Sequence, residues 1–351
     1  MVSSRRAIVG TFNALVTLVV VLLLYLVLRR IGMAEILAAM REAPAGAVAA
    51  AVLLHAAAFV LSCFRWQQLM HPAERRSLLF LLPLYMAGVF GNLVTPGARV
   101  GGEPIRAYYM GAAFGGERSA HLGTILTDKL GNGAVFLVFL LLSLGFMVVF
   151  VPLTTVFKVL MLAVVAGVPL VALSGFLLRR HIGTRSALFR KLLSVLYDGA
   201  PLRLVRHRFA TYQHFEDYVI RKFDNVLMPI GRAAGSPRAL AKIVVISVVA
   251  WLFYCLAHYV VFRALGSQVD FTQIVIVVTI STFFGDASVS PGGVGFAEGA
   301  MIGLCAAFGL DYGVTVAATL ISRGIYYVFG LGIGGGCLAV LMLKYGREVR
   351  D

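Results

Sequence analysis

Two stretches decide the fold. The first is Phe90-Gly91-Asn92-Leu93-Val94-Thr95-Pro96-Gly97-Ala98-Arg99-Val100-Gly101-Gly102-Glu103-Pro104. The second is Phe284-Gly285-Asp286-Ala287-Ser288-Val289-Ser290-Pro291-Gly292-Gly293-Val294-Gly295-Phe296-Ala297-Glu298. Phe-Gly and a short polar side chain (Asn92, Asp286) come first, then a hydroxyl residue with Pro-Gly (Thr95-Pro96, Ser290-Pro291-Gly292). A further Gly follows (Gly101, Gly295), and Glu stands seven positions after Pro in each. Ala112-Ala113-Phe114-Gly115 and Ala306-Ala307-Phe308-Gly309 close the two stretches, and Thr124, Thr127 and Lys129 match Thr319, Ser322 and Arg323 beyond them. The spacing holds at 194 or 195 positions (Phe90 to Phe284, Glu103 to Glu298), so the chain carries an internal repeat.

Around these stretches the chain is apolar. Of 351 residues 60% are hydrophobic and 13% charged, against about 45–50% and about 25% in soluble globular chains. This is the composition of a polytopic membrane protein, and it excludes secreted, fibrous, disordered and nucleic-acid-binding classes. The net charge of +15 lies in short loops between apolar runs and gives no nucleic-acid footprint. The four cysteines (Cys63, Cys255, Cys305, Cys337) sit in apolar segments without CxxC spacing, so neither disulfides nor a metal site is expected. No cofactor motif is present either, whether P-loop, GxSxG, HExxH or kinase set.

Full crossings need about 20 apolar residues. The candidates are 8–28, 45–63, 121–151, 156–178, 243–265 and 312–343. The first follows Arg5 and Arg6 and reads as an uncleaved anchor. The arms at 78–92, 105–115, 271–285 and 297–309 are too short, since 15 helical residues reach roughly 22 Å. The segment 179–242 holds thirteen Lys and Arg against four acids and should be cytoplasmic, with the C-terminus and, by parity, the N-terminus. Arg29, Arg30 and Arg41 run against that orientation. Parity makes 78–115 and 271–309 re-entrant hairpins entering from opposite faces. The expected fold is all-α: about six full spans plus two re-entrant helical hairpins in an inverted repeat, in repeats 45–151 and 243–343 of one membrane domain. The cell (inner or plasma) membrane is the expected location.

The candidate residues follow from that plan. Non-helical backbone at membrane depth survives only in protein or beside a wet cavity, and helix N-termini freed by a Pro-Gly turn favour anions. Arg99 and Arg106 lie at i−4 and i+3 from Glu103 and can meet it on one helix face. Arg106, Asp128, Lys129 and Arg323 lie within apolar segments, where charge is costly unless paired or solvated. One reading makes Glu103–Arg99/Arg106 and Asp128–Lys129 structural pairs. The other makes Arg99, Arg106, Lys129 and Arg323 an anion path, with Asn92 and Asp286 polarising the tips and Glu103 and Glu298 carrying protons. Thr95, Pro96, Gly101, Gly102, Ser290, Pro291, Gly292, Gly293 and Gly295, at the tips, complete the expected substrate-binding set with Asp128. Arg65-Trp66 and Trp251 read as interfacial anchors, and His258 as a packing residue with no second His at ligand spacing. Phe209, Tyr212, Phe215, Tyr218 and Phe223 suggest an amphipathic face in the basic loop, attractive to anionic membrane lipids.

Asn92 with Thr95-Pro96-Gly97-x-Arg99-x-Gly101-Gly102-Glu103-x-x-Arg106, Asp128-Lys129 and Ser290-Pro291-Gly292-Gly293-x-Gly295-x-x-Glu298 resemble the flippase-like membrane domain of lysylphosphatidylglycerol synthetases. Stand-alone relatives in that superfamily include archaeal AglD-type and hopanoid-associated proteins. The resemblance spans roughly residues 10–343. It implies translocation of a lipid with an anionic headgroup, phospholipid or polyprenyl-phosphate-linked, and, without a following aminoacyl-transferase domain, no aminoacylation. Lys129 stands where the resemblance leads one to expect Arg. A non-transporting scaffold or accessory subunit, and an intramembrane transferase using Glu103 or Asp128 as base, are the alternatives. A homo-oligomer is compatible with the sequence.

Overall fold

The computed structural model describes residues 43–71, 75–95, 101–152, 154–155, 158–159, 161–163, 166–167, 187–198, 209 and 211–345. The expected span 8–28 lies outside them, and 156–178 lies largely outside. Among the described residues the chain is helical, and four helices are long and apolar enough to cross a membrane: α1 (Ala45–Leu69), α4 (Arg118–Phe150), α7 (Pro237–Ala264) and a composite helix over Tyr312–Tyr345. The last consists of α10 (Tyr312–Tyr327), a π-helical turn at Val328–Ile333 and α11 (Gly334–Tyr345). The 25 residues of α1 extend about 37 Å at about 1.5 Å per residue, enough for a hydrocarbon core of about 30 Å. Leu53, Leu79, Leu142, Val149 and Leu343 are exposed on the outer surface, where lipid rather than water is the expected neighbour.

The two repeated stretches form two helix pairs. In the first, α2 (Leu78–Val94) leads to α3 (Gly102–Phe114). In the second, α8 (Phe271–Ala287) leads through one 3-10 turn at Pro291–Gly293 to α9 (Phe296–Ala307). Glycine lets the arms close up. A Cβ on Gly102 would sit 2.1 Å from the Gly88 carbonyl oxygen, and one on Gly293 would sit 2.6 Å from the Gly285 Cα. Gly292 and Gly293 adopt φ of 62° and 70°, a region that L side chains rarely enter.

The two tips touch. Leu93, at the end of α2, packs with Val294, Tyr326 and Tyr327, and a Cβ on Gly292 would meet the Leu93 side chain at 2.5 Å. The π-turn admits Leu93 beside Gly330, and Gly334 lets α11 approach the α2 backbone at Met86. The basic segment supplies α5 (Ala187–Asp198) and α6 (Tyr212–Ala234). Phe215 and Phe209 on the α6 side pack with Leu193 and Tyr197 of α5, and α6 lies on α4 where Gly123 faces the carbonyls of Asn225 and Val226. Side-chain caps set the helix starts: Thr211 for α6, Ser236 ahead of Pro237 for α7, and Asp311 for α10.

Candidate functional site

In the first pair the acidic group opening α3 is tied to α4. Lys129 Nζ donates to Glu103 Oε1 at 3.0 Å, and Asn92 Oδ1 accepts from the Gly102 N–H at 2.7 Å, capping the start of α3. Thr95 Oγ1 donates to the Gly91 carbonyl. Asp128, the residue before Lys129, turns the other way. It accepts from Arg65 Nε at 2.8 Å and lies 3.6 Å from Arg106 Nη2. Arg65 also donates to Asn132 at 2.7 Å and to Ser247 at 3.1 Å. The Arg106 guanidinium lies between Trp66 and Tyr85, 4.0 and 4.8 Å from the ring centroids.

Among the described residues Arg65, Arg106, Glu103 and Asp128 are buried and their charges balance, while Lys129, 39% exposed at its side chain, adds a third cation at the edge of the cluster. Arg106 Nε and Nη2 and Glu103 Oε2 lack hydrogen-bond partners.

The second pair repeats the acid–cation link with different bonding. Arg323 Nε donates to Glu298 Oε1 at 2.6 Å, and its Nη2 donates to the Gly292 carbonyl at 3.0 Å and to the Tyr327 hydroxyl at 2.7 Å. Tyr327 donates in turn to Glu298 Oε1 at 2.7 Å. Glu298 Oε2 accepts from the Gly295 N–H at 2.7 Å and caps α9. Arg323 and Glu298 cancel, and the arginine also holds the Pro-Gly tip by its backbone. Ser290 Oγ donates within the tip to the Val294 carbonyl at 2.9 Å, and Asp286 is half-buried at the end of α8.

Several expected contacts are corrected by this geometry. Arg106 pairs with Asp128 rather than Glu103, because Glu103 faces Lys129 across to α4. Asp128 and Lys129 therefore do not form a pair. Arg65 and Trp66 are not interfacial anchors: α1 runs on to Leu69, and both are buried in the charged cluster, with Trp66 Nε1 donating to Thr124 at 3.3 Å. Pro96 and Arg99 lie outside the described residues.

A cavity of about 140 Å³ lies beside this cluster, between α1, α2, α4, α7, α8 and α10. None of the eighteen candidate site residues lines it. Its lining includes the polar residues His55, Ser62, Asn132, Tyr254, Thr282 and Tyr326 and the aromatic residues Phe59, Tyr85 and Trp251. His258 does have a second His near it, since its ring centroid is 5.5 Å from that of His55. The available sequence signal was the helical spacing of His55, Phe59 and Ser62 in α1 and of Trp251, Tyr254 and His258 in α7. Trp251 packs in the interior, stacked 5.3 Å from Tyr254 and donating to Thr279 at 3.3 Å.

A multi-pass helical membrane protein with two contacting helix pairs and ionic clusters behind their tips is thus defined. The chain belongs to the lysylphosphatidylglycerol synthase TM region family, whose model matches residues 13–334. It is similar to the UPF0104 membrane protein PH1989 of Pyrococcus horikoshii, 26% identical over 339 residues and 94% of each chain. It is also similar to a UPF0104 membrane protein of Methanothermobacter thermautotrophicus, 26% identical over 352 residues, covering 99% of this chain and 95% of that one. A third relative is the UPF0104 membrane protein MJ1595 of Methanocaldococcus jannaschii, 26% identical over 274 residues, 77% of this chain and 75% of that one.

Proposed function

We propose that the protein is a lipid translocase that moves a lipid with an anionic headgroup, phospholipid or polyprenyl-phosphate-linked, between leaflets. The observation that carries this reading is the Arg106 guanidinium, buried in a cluster of three cations and two acids with its Nε and Nη2 lacking hydrogen-bond partners. Buried donors without acceptors are costly, and a phosphate entering beside Arg106 would supply acceptors and charge together. In this reading the two helix pairs are re-entrant hairpins entering from opposite faces, the cluster behind their touching tips lies between the leaflets, and the lipid tails stay in the bilayer. Glu103 is the group in the cluster suited to exchanging a proton, because its Oε2 is unbonded and its partner Lys129 is 39% exposed at the side chain. Any driving force is a gradient or mass action. The protein lies in the cell membrane with both termini cytoplasmic. On that side α6 presents Tyr218, Phe223, Leu227 and Met228, all exposed, to a surface of anionic lipid.

Liposomes carrying fluorescent lipids test this. Reconstituted protein should equilibrate an anionic lipid between leaflets faster than empty vesicles do. Arg106→Gln should slow that by about tenfold, the scale of one charge-assisted contact, in protein whose folded state is verified by its melting transition. Equal equilibration with and without protein, across anionic headgroups, would overturn the reading in favour of a scaffold.

A further inference from the structure

The composite helix over Tyr312–Tyr345 belongs to both helix pairs at once. Its first half, α10, packs on α9, α7 and α1, and its second half, α11, packs on α2 and α3. Cys337, Leu338 and Leu341 of α11 join the cluster of Leu81 and Leu84. A Cβ on Gly334 would stand 2.6 Å from the Met86 carbonyl oxygen, so α11 lies directly on the α2 backbone. The two halves are thus fixed to different bodies, and the π-turn at Val328–Ile333 is the joint between them. Helix α4 crosses between the same bodies. Ile125 packs with Ala107 and Met110 of α3, while Leu140, Leu144 and Met147 pack with Ile276 and Ile280 of α8. Gly131 and Gly133 stand between these two sets.

A helix bends where its hydrogen-bond ladder is already widened or where glycine leaves it unbraced. The joint has both features, since its six π-helical residues include Gly330 and Gly332. A Cβ on Gly332 would meet nothing within 4 Å, and Val328 and Ile333 are exposed, so that side of the turn carries no packing. The other side is filled by one residue of the first tip. Leu93 is 1% exposed. A Cβ on Gly292 would meet its Cδ1 at 2.5 Å, and one on Gly330 would meet its Cδ2 at 2.7 Å. The leucine is therefore clamped between the Pro-Gly tip of the second pair and the joint. While it is seated, the joint cannot bend toward it. When the tips part, the space beside Gly330 empties and bending fills it, so tip separation and helix bending are one movement.

We propose that the π-turn is a hinge with Leu93 as its latch: the body of α2, α3 and α11 swings against the body of α8, α9 and α10 when Leu93 leaves its seat between Gly292 and Gly330. Spin labels at Leu240→Cys on α7 and Leu343→Cys on α11 read the position of α11 across the joint, by double electron–electron resonance in lipid nanodiscs. Both positions are exposed, and Cys337, the one native cysteine that is not buried, is removed as Cys337→Ser. Leu240→Cys with Tyr312→Cys, both on the α10 side of the joint, is the control pair. Wild type should give one main distance and a minor second one. Leu93→Ala, which empties the seat, and Gly330→Ala, which crowds it, should each raise the minor share at least about fivefold. Gly332→Ala, added to either, should lower it again by about fivefold, the scale of a Gly-to-Ala exchange in a helix. The same exchange two positions apart thus acts in opposite directions, which helix propensity alone would not produce. Should Leu93→Ala fail to fold, the two glycine variants carry the test. A single distance in every protein, glycine variants acting in the same direction, or equal changes in the control pair would each overturn the hinge. The inference goes beyond the translocase reading: hinging without lipid movement would sink that reading and keep this one, and lipid movement with a rigid joint would do the reverse.

Discussion

The two tip clusters are built on one plan and have diverged in one respect. In each, a glutamate in the first turn of the second arm reaches a cation on the following long helix: Glu103 to Lys129 and Glu298 to Arg323. In the second cluster the arginine spends its donors on Glu298, Tyr327 and the Gly292 carbonyl. Charge is balanced there and the tip is tied down. In the first cluster an acid one position earlier, Asp128, recruits Arg65 and Arg106. That adds two cations for one anion, and Arg106 keeps two donors unused. The residue immediately before the cation in the second repeat is Ser322, also buried and with no hydrogen bond at its hydroxyl. The repeat therefore fixes where the acid–cation link sits, while the residue before the cation decides whether further arginines join it.

The comparison breaks most visibly at that position. Asp128→Ala leaves Arg65 and Arg106 buried with no anion between them, and breaking a buried pair typically costs about 3–5 kcal/mol. Ser322→Ala removes a hydroxyl that bonds to nothing and should change stability by about 0.5 kcal/mol or less. Denaturant or thermal unfolding of the two variants in the same detergent checks the contrast. Similar losses would mean that the clusters are energetically alike.

A smaller effect separates the two cations. Arg323→Lys keeps the charge but cannot serve Glu298, Gly292 and Tyr327 together, and should cost about 1–3 kcal/mol, the scale of one lost bond to a charged group. Lys129→Arg at the half-exposed end of the first pair should be tolerated within about 0.5 kcal/mol. Melting temperatures of both variants, read beside vesicle transport, sharpen the assignment of one cluster as a clasp and the other as a binding site.

The repeat, the all-helical membrane class and the short paired arms could be read from spacing and composition alone, and so could the matching of Lys129 with Arg323. Partner choice could not. Spacing along one helix favoured Arg106 with Glu103, but the packing of α3 on α4 turned Glu103 toward Lys129 and left Arg106 to Asp128. Arg65 and Trp66 look like a span end in sequence because charge and indole belong at an interface. Asp128 lies 63 positions away, and only packing brings it to Arg65. The cavity was hidden for the same reason. Its wall takes one to four residues from each of six helices, and none of those short sets stands out against an apolar background.

The smallest predicted effect lies where the repeats meet the basic segment. Glu117 and Asp311 occupy equivalent places, just ahead of α4 and α10. Asp311 accepts from the Val314 N–H at 2.9 Å and caps its own helix. Glu117 makes no such cap and instead accepts a hydrogen bond from Lys222 of α6. That bond, with the lysine charge behind it, holds the Glu117 carboxyl below its ordinary value. A depressed carboxyl contributes stability that is present above its unfolded pKa, about 4.3, and is lost as pH falls through the folded value. Docking of α6 on α4 should thus weaken on acidification, and only slightly, because Glu117 is solvent-exposed and exposed pairs are screened within about 10 Å at 0.1 M salt. Hydrogen exchange of α6 should show faster opening in Lys222→Met than in wild type at pH 7 and low salt, with the gap closing below pH about 4 and in high salt. A gap that persisted under both conditions would assign the docking to the Gly123 contact alone and leave Glu117 without a share in it.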